Sequence, residues 1–195
     1  MKKIISACAA LALLTVIATP AGAAEPAITD EASAAASAAP STKLEPMSLA
    51  LLAGHGFKDA FGTGFGARVG YTVPNKIYLG GSLVYHVGQT QGPVQANVWY
   101  GGGEVGYDVA AGPFIIRPYA GVGAASINAT VTVAAVGDFA GGKVTASQSR
   151  FAVWPGAMFL FPFEQGSAFI GVDAKVVVVD NASALNTYGT FGLAF

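Results

Sequence analysis

Residues 64–87 read GFGARVGYTVPNKIYLGGSLVYHV, and their period is two. Phe65, Ala67, Val69, Tyr71 and Val73 fall on one side of an extended chain, and Gly64, Gly66, Arg68, Gly70 and Thr72 on the other. After the short link Pro74–Lys76 the pattern resumes. Ile77, Leu79, Gly81, Leu83, Tyr85 and Val87 oppose Tyr78, Gly80, Ser82, Val84 and His86. Alternation of this kind specifies strands with two unlike faces rather than helices. The charge Arg68 sits on the face without the large apolar row.

The same alternation recurs in both directions. From Val98 to Val109, Trp99, Val105, Tyr107 and Val109 oppose Tyr100, Glu104 and Asp108. From Ile116 to Ala124, the row Ile116, Pro118, Ala120, Val122 and Ala124 opposes Arg117, Tyr119, Gly121 and Gly123. Ala168, Ile170, Val172, Ala174, Val176 and Val178 oppose Asp173 and Lys175. At the end of the chain Phe191, Leu193 and Phe195 oppose Tyr188, Thr190, Gly192 and Ala194. Two further segments, Ser48–Phe57 and Phe151–Phe161, are apolar on both faces, so their register stays open. The total is eight candidate strands of about ten residues, the length a tilted strand needs to cross a bilayer.

Composition narrows the setting. Of 195 residues, 53% are hydrophobic and only 11% charged, too few charges for an ordinary soluble surface. No long apolar run follows the first 24 residues, which argues against a helical membrane protein. The 26 glycines follow no triplet repeat, so collagen is excluded, and a net charge of −1 gives no basic face for nucleic acid. Lys2 and Lys3, an apolar stretch from Ile4 to Ala18, and Ala21-Gly22-Ala23 form a secretory signal over residues 1–23, with cleavage expected between Ala23 and Ala24. Cys8 lies inside that signal, so the mature chain is expected to hold no disulfide, thiol nucleophile or cysteine metal site. Residues 24–47, rich in Ala, Ser and Pro, read as a disordered periplasmic linker. Residues 48–195 are the strand domain.

Unpaired backbone groups are not tolerated in lipid, so a sheet there must close. All six charges on the assigned strands, Arg68, Glu104, Asp108, Arg117, Asp173 and Lys175, lie opposite the apolar row. A lipid-facing Arg or Lys at mid-bilayer costs about 2–4 kcal/mol, so the apolar row faces lipid and the charged row faces inward. The links at Pro74–Lys76, Ala110–Pro113 and Pro162–Ser167 are short; those at Lys58–Thr63, Gly88–Ala96, Ser126–Ser149 and Asp180–Leu185 read as mostly longer loops. Tyr71, Tyr107, Phe114, Phe163 and Phe195 gather near the short-turn ends, and Phe65, Tyr85, Trp99 and Phe151 near the other. Two aromatic girdles fit those rows. The fold expected is all-β: an eight-stranded antiparallel up-and-down transmembrane β-barrel.

The segment from Ser48 to Phe195 resembles the small eight-stranded outer-membrane barrels of the OmpA/OmpX/opacity-protein type. The last strand, ending Thr190-Phe191-Gly192-Leu193-Ala194-Phe195, is similar to the C-terminal signal that the barrel-assembly machinery reads in that family, carried here by Phe191, Leu193 and Phe195. Arg117-Pro118-Tyr119-Ala120-Gly121-Val122-Gly123 also resembles a strand common in these barrels. The resemblance implies a Gram-negative outer membrane, with its lipid and lipopolysaccharide as surroundings. The peptidoglycan-binding domain of two-domain relatives is not expected, since the chain stops at the last strand.

An eight-stranded barrel has room for its own side chains and little more. Arg68, Glu104, Arg117, Asp173 and Lys175 are expected to form an interior ionic network, with Glu104 pairing Arg68 or Arg117. The loop over residues 126–149 is the best site for a specific extracellular partner, because recognition gathers on loops held by rigid scaffolds. Lipid-modifying barrels need a Ser, a His and a carboxylate together. Ser82 and His86 share a face but lie roughly 13 Å apart along one strand, and the facing of His55 is open. No catalysis, cofactor or metal is therefore expected. The reading is a structural or surface-interaction barrel. The alternatives are a narrow pore, a lipid-modifying barrel enzyme, or a secreted lipocalin-like ligand binder with the two faces reversed.

Overall fold

The computed structural model describes residues 43–58, 61–88, 90–91, 94–133, 141–180 and 182–195. The expected signal peptide, its cleavage point at Ala23 and Ala24, and the linker as far as residue 42 lie outside the described residues. Eight long strands run in chain order: β1 Met47–Lys58, β2 Phe61–Thr72, β3 Ile77–His86, β4 Val94–Tyr107, β5 Phe114–Val133, β6 Gly142–Phe163, β7 Ala168–Val179 and β8 Ala182–Ala194. Two short pieces, Thr90–Gln91 and Val109–Ala111, lengthen the hairpins beside β4 and β5. Every pairing is antiparallel between chain neighbours, and β1 pairs β8 from Ser48↔Ala194 to Gly56↔Asn186. That last ladder closes the sheet into an eight-stranded barrel, which leaves no edge across the membrane-spanning part.

The inward and outward faces follow the alternation. Arg68, Ser82, Glu104, Arg117, Asp173 and Lys175 are buried, while Leu49, Leu51, Val69, Leu83, Val122, Val172 and Leu193 are about half exposed. The two strands of open register resolve. In β1, Ala50 and Leu52 point in and Leu49 and Leu51 point out; in β6, Trp154, Met158 and Leu160 point in and Phe151 and Phe159 point out. Phe65, Tyr85 and Trp99 stand side by side through the register Phe65↔Tyr85↔Trp99, an outward row near one barrel end. Tyr71, Tyr107, Phe114 and Phe195 are outward at the other end.

Three connections differ from the sequence expectation. Lys58 pairs Phe61 and Val179 pairs Ala182, so within the supposed loops Lys58–Thr63 and Asp180–Leu185 the residues 61–63 and 182–185 belong to strands. Asp180, in the second, adopts φ 48°, a left-handed conformation that Asp tolerates better than most residues. The segment Ser126–Ser149 is not a free loop over its arms, because β5 and β6 pair without a break from Ile115↔Leu160 to Val133↔Gly142. The linker boundary also moves. Leu44 is buried in the core cluster, the Glu45 amide donates to the Gly166 carbonyl at 3.3 Å, and the Thr72 amide donates to the Pro46 carbonyl at 2.8 Å. The chain from Lys43 to Pro46 is thus packed against the short-turn end, since Leu44 finds apolar surface there that a solvated tether lacks.

Candidate functional site: the barrel interior and the extended hairpin

Arg68, on β2, is the hub of the interior. Its Nε donates to Glu104 Oε2 at 2.7 Å and its Nη2 to Glu104 Oε1 at 3.2 Å. The same Nη2 reaches Asp173 Oδ2 at 2.9 Å and the Tyr119 hydroxyl at 3.2 Å. Glu104 Oε1 also accepts from Ser82 at 2.6 Å and from the Trp154 indole at 2.9 Å. Tyr119 donates to Asp173 Oδ1 at 2.6 Å. Two carboxylates on opposite walls are therefore held by one guanidinium and three neutral donors. That degree of satisfaction is what a desolvated charge requires. Trp154 reaches Glu104 because Gly121 on the neighbouring strand has no side chain; a Cβ there would overlap the indole.

Lys175 lies one step further along the axis. Its Nζ is 3.4 Å from Asp173 Oδ2 and sits over the rings of Tyr188 at 4.9 Å and Tyr100 at 5.4 Å. Two aromatic faces thus share the cation with one carboxylate. Beyond it, His86 Nε2 is 2.8 Å from the Tyr188 hydroxyl, which is 2.8 Å from the Tyr100 hydroxyl, and His86 Nδ1 is 3.0 Å from the Gly62 carbonyl. Phe61 packs edge-on to His86 at 5.1 Å and covers this layer.

Arg117 belongs to a separate layer nearer the short turns. It forms a bidentate pair with Asp108, Nε to Oδ1 at 2.5 Å and Nη2 to Oδ2 at 2.8 Å, and donates to Thr72 at 3.2 Å. Its guanidinium lies 4.0 Å from the Tyr78 ring centre. So the five residues expected as one network divide: Arg68, Glu104, Asp173 and Lys175 meet, and Arg117 does not join them. The partner of Arg117 was readable. The β4–β5 register Gly106↔Tyr119 continues through Val109↔Ile116, so Asp108 must face Arg117 across the turn. The roles of Tyr119 and Trp154 had no such signal, because an aromatic on an inward face also reads as plain filling.

The Ser–His pair does not assemble. Ser82 is committed to Glu104, and His86 to Gly62 and Tyr188. His55 is exposed on the outward face, edge-on to Phe57 at 5.4 Å. Phe191, Leu193 and Phe195 form an outward row along β8, each at least half exposed.

Above the outward row Phe65–Tyr85–Trp99, β4, β5 and β6 continue as a three-stranded sheet. Its two faces are the reverse of the wall below. On the face continuing the barrel's lipid side, Asn128 Nδ2 donates to Asn97 Oδ1 at 3.1 Å and the Thr130 and Thr145 hydroxyls lie 3.1 Å apart. On the face continuing the inner side stand Ala96, Ile127, Ala129, Val131, Val144 and Ala146. The β6–β7 ladder ends at Ala152↔Val179, so among the described residues Gly142–Phe151 pair only with β5. An exposed ion pair, Arg150 Nε to Asp180 Oδ2 at 3.1 Å, joins the root of this sheet to the neighbouring hairpin.

The architecture is shared with solved outer-membrane barrels. The N-terminal β-barrel domain of Pseudomonas aeruginosa OprF superposes with a TM-score of 0.50 at 15% identity, covering 78% of this chain and 98% of that one. A major outer membrane protein of Thermus thermophilus gives 0.56 at 11% identity, over 77% of this chain and 98% of that one. Neisserial surface protein A gives 0.50 at 15% identity, over 76% and 96%. No curated protein matches the sequence. The pattern of the outer membrane protein beta-barrel domain matches residues 9–195, which is nearly the whole chain, and the protein belongs to that family.

Proposed function

We propose that this protein is a closed outer-membrane barrel whose work is done by the sheet that β4, β5 and β6 raise above the membrane. The observation that carries this reading is the edge of Gly142–Phe151, unpaired among the described residues, on a rigid, membrane-anchored frame. An open row of backbone donors and acceptors is a template for an added strand, and native proteins otherwise blunt such edges. One of the solved barrels it resembles in fold is named a surface protein, which agrees with a surface role. The lumen supports a structural reading. The charged groups of three successive layers are spent on one another, so Arg68, Glu104, Asp173 and Lys175 act as a plug rather than a pore lining. Ser82 and His86 have separate partners, in keeping with a non-catalytic barrel.

The short-turn end, with residues 24–42 leading to it, would face the periplasm and the hairpin the outside, where lipopolysaccharide surrounds the wall. The outward, terminal row of Phe191, Leu193 and Phe195 supports its reading as an assembly signal. The test is a chain in which residues 130–145 are replaced by a two-residue turn. Bacteria displaying each form are scored for retention on fibronectin-, laminin- and serum-coated surfaces. Loss of retention on at least one surface, with heat-dependent gel mobility intact, is the expected result. Equal retention on all three overturns the reading.

A further inference from the structure

At the short-turn end, Lys43–Pro46 and the β2–β3 and β4–β5 turns enclose a cavity of about 290 Å³. Its size is at the lower edge of sites that take small molecules. Leu44 and Ile115 are buried at its floor, Pro46 and Tyr71 form a side, and Lys43 and Lys76 stand exposed at its rim. The lining carboxylate, Asp108, is already neutralised by Arg117. The lining therefore presents two lysines beside apolar surface, and the one carboxylate among them is spent elsewhere. Tyr71 also belongs to the outward aromatic row at this end, so one wall of the cavity lies at the level where membrane meets water.

Lys76 is one of three non-glycine residues with positive φ among the described residues, with Gln165 and Asp180. It adopts φ 70°, the left-handed region that glycine or asparagine occupies without strain, although Asn75 is its neighbour. A glycine is accommodated at such a position without backbone strain. Here the strained residue is part of the cavity wall.

We infer that this cavity binds an anionic glycerophospholipid of the adjacent leaflet, with the phosphate between Lys43 and Lys76 and the start of an acyl chain against Leu44, Pro46 and Tyr71. The inference rests on the outer-membrane reading, and the short-turn end then takes its lipid from the periplasmic leaflet. Lipid of this class is also what a barrel meets on that side at no diffusional cost. The two lysines supply the affinity for negative charge, and the cavity supplies the preference for a headgroup that carries chains.

The test uses the full chain reconstituted in symmetric phosphatidylethanolamine/phosphatidylglycerol bilayers, with retained lipid counted by native mass spectrometry. Symmetric bilayers make the result independent of which end faces the periplasm. Labelling of Lys143 on whole cells reports that orientation separately. The expected result is preferential retention of phosphatidylglycerol, weakened about five-fold by Lys76→Gly and about thirty-fold by the Lys43→Gln/Lys76→Gly pair. Lys76→Gly relieves the backbone strain, so loss of lipid there cannot be loss of fold. Lys58→Gln, at the opposite end, should change nothing. An equal loss with Lys58→Gln reduces the effect to diffuse charge and overturns the site. So does full competition by glycerol phosphate without chains, which leaves the cavity no part, or undiminished retention in the double variant.

Discussion

Val122 and Thr130 lie on the same strand, on the same face, four pleats apart, and they answer to different solvents. Val122 is half exposed among Val105, Val153 and Ala120, which the lipid covers. Thr130 stands in a ladder with Thr145 and close to Asn97 and Asn128, which water covers. The inner face changes in the opposite sense, from Arg117 and Tyr119 low on β5 to Ala129 and Val131 high on it. β5 has 20 residues and a bilayer crossing takes about 9–11, so about half the strand obeys each rule. Register cannot be the cause, since the β5–β6 pairing runs unbroken through the change. The surrounding medium alone decides which face is apolar.

The largest effect should come from the buried side of the wall. Glu104→Ala leaves Arg68 half-paired and orphans the donors of Ser82 and Trp154, and should destabilise the barrel by about 3–5 kcal/mol in urea titrations from lipid vesicles. An unmoved midpoint would mean that the interior is wet. Val122→Arg should cost about 2–4 kcal/mol in the same assay, whereas Thr130→Arg, on the same face, should fall within about 0.5 kcal/mol of wild type. Equal costs at the two positions would erase the boundary drawn between them. Gly121→Ala should cost about 1–3 kcal/mol by pushing Trp154 off Glu104, read as a lower temperature for the gel-mobility shift. The smallest effect belongs to the water-covered root of the sheet. Asp180→Asn keeps a residue tolerant of φ 48°, removes the exposed pair with Arg150 and should cost under about 0.5 kcal/mol.

The same boundary explains what could be read from the chain beforehand. Strands with a charge, such as Arg68 on β2 or Asp173 on β7, announced their faces, because only one side of a membrane wall can hold an ion. β1 and β6 did not, because the lumen also accepts Leu52, Met158 and Leu160 around its polar layers. The strand residues 61–63 and 182–185 were hidden by polar and small residues, which read as loop when the strand has merely left the lipid. In the lumen, the pairing of Glu104 with Arg68 follows from sign and side, but the choice of Arg68 over Arg117 is set by height along the axis. Alternation carries no height. The docking of Leu44 was illegible for a plainer reason: one apolar residue between Lys43 and Glu45 has no period to betray it.

The first and last strands meet at the short-turn end, where the Met47 amide donates to the Phe195 carbonyl at 3.0 Å and the Phe195 amide returns the bond to Met47 at 2.9 Å. Two positions at opposite ends of the domain are thus as near as hairpin neighbours. A circular permutant could bridge residue 195 to residue 47 with a few residues and open the chain at the tip of the β5–β6 hairpin. It would retain every ladder of the barrel while moving Phe195 from the terminus to the interior of the polypeptide. Such a chain tests two things apart that the natural order holds together: the ability of the sheet to close, and the proposed reading of Phe191, Leu193 and Phe195 as an assembly signal.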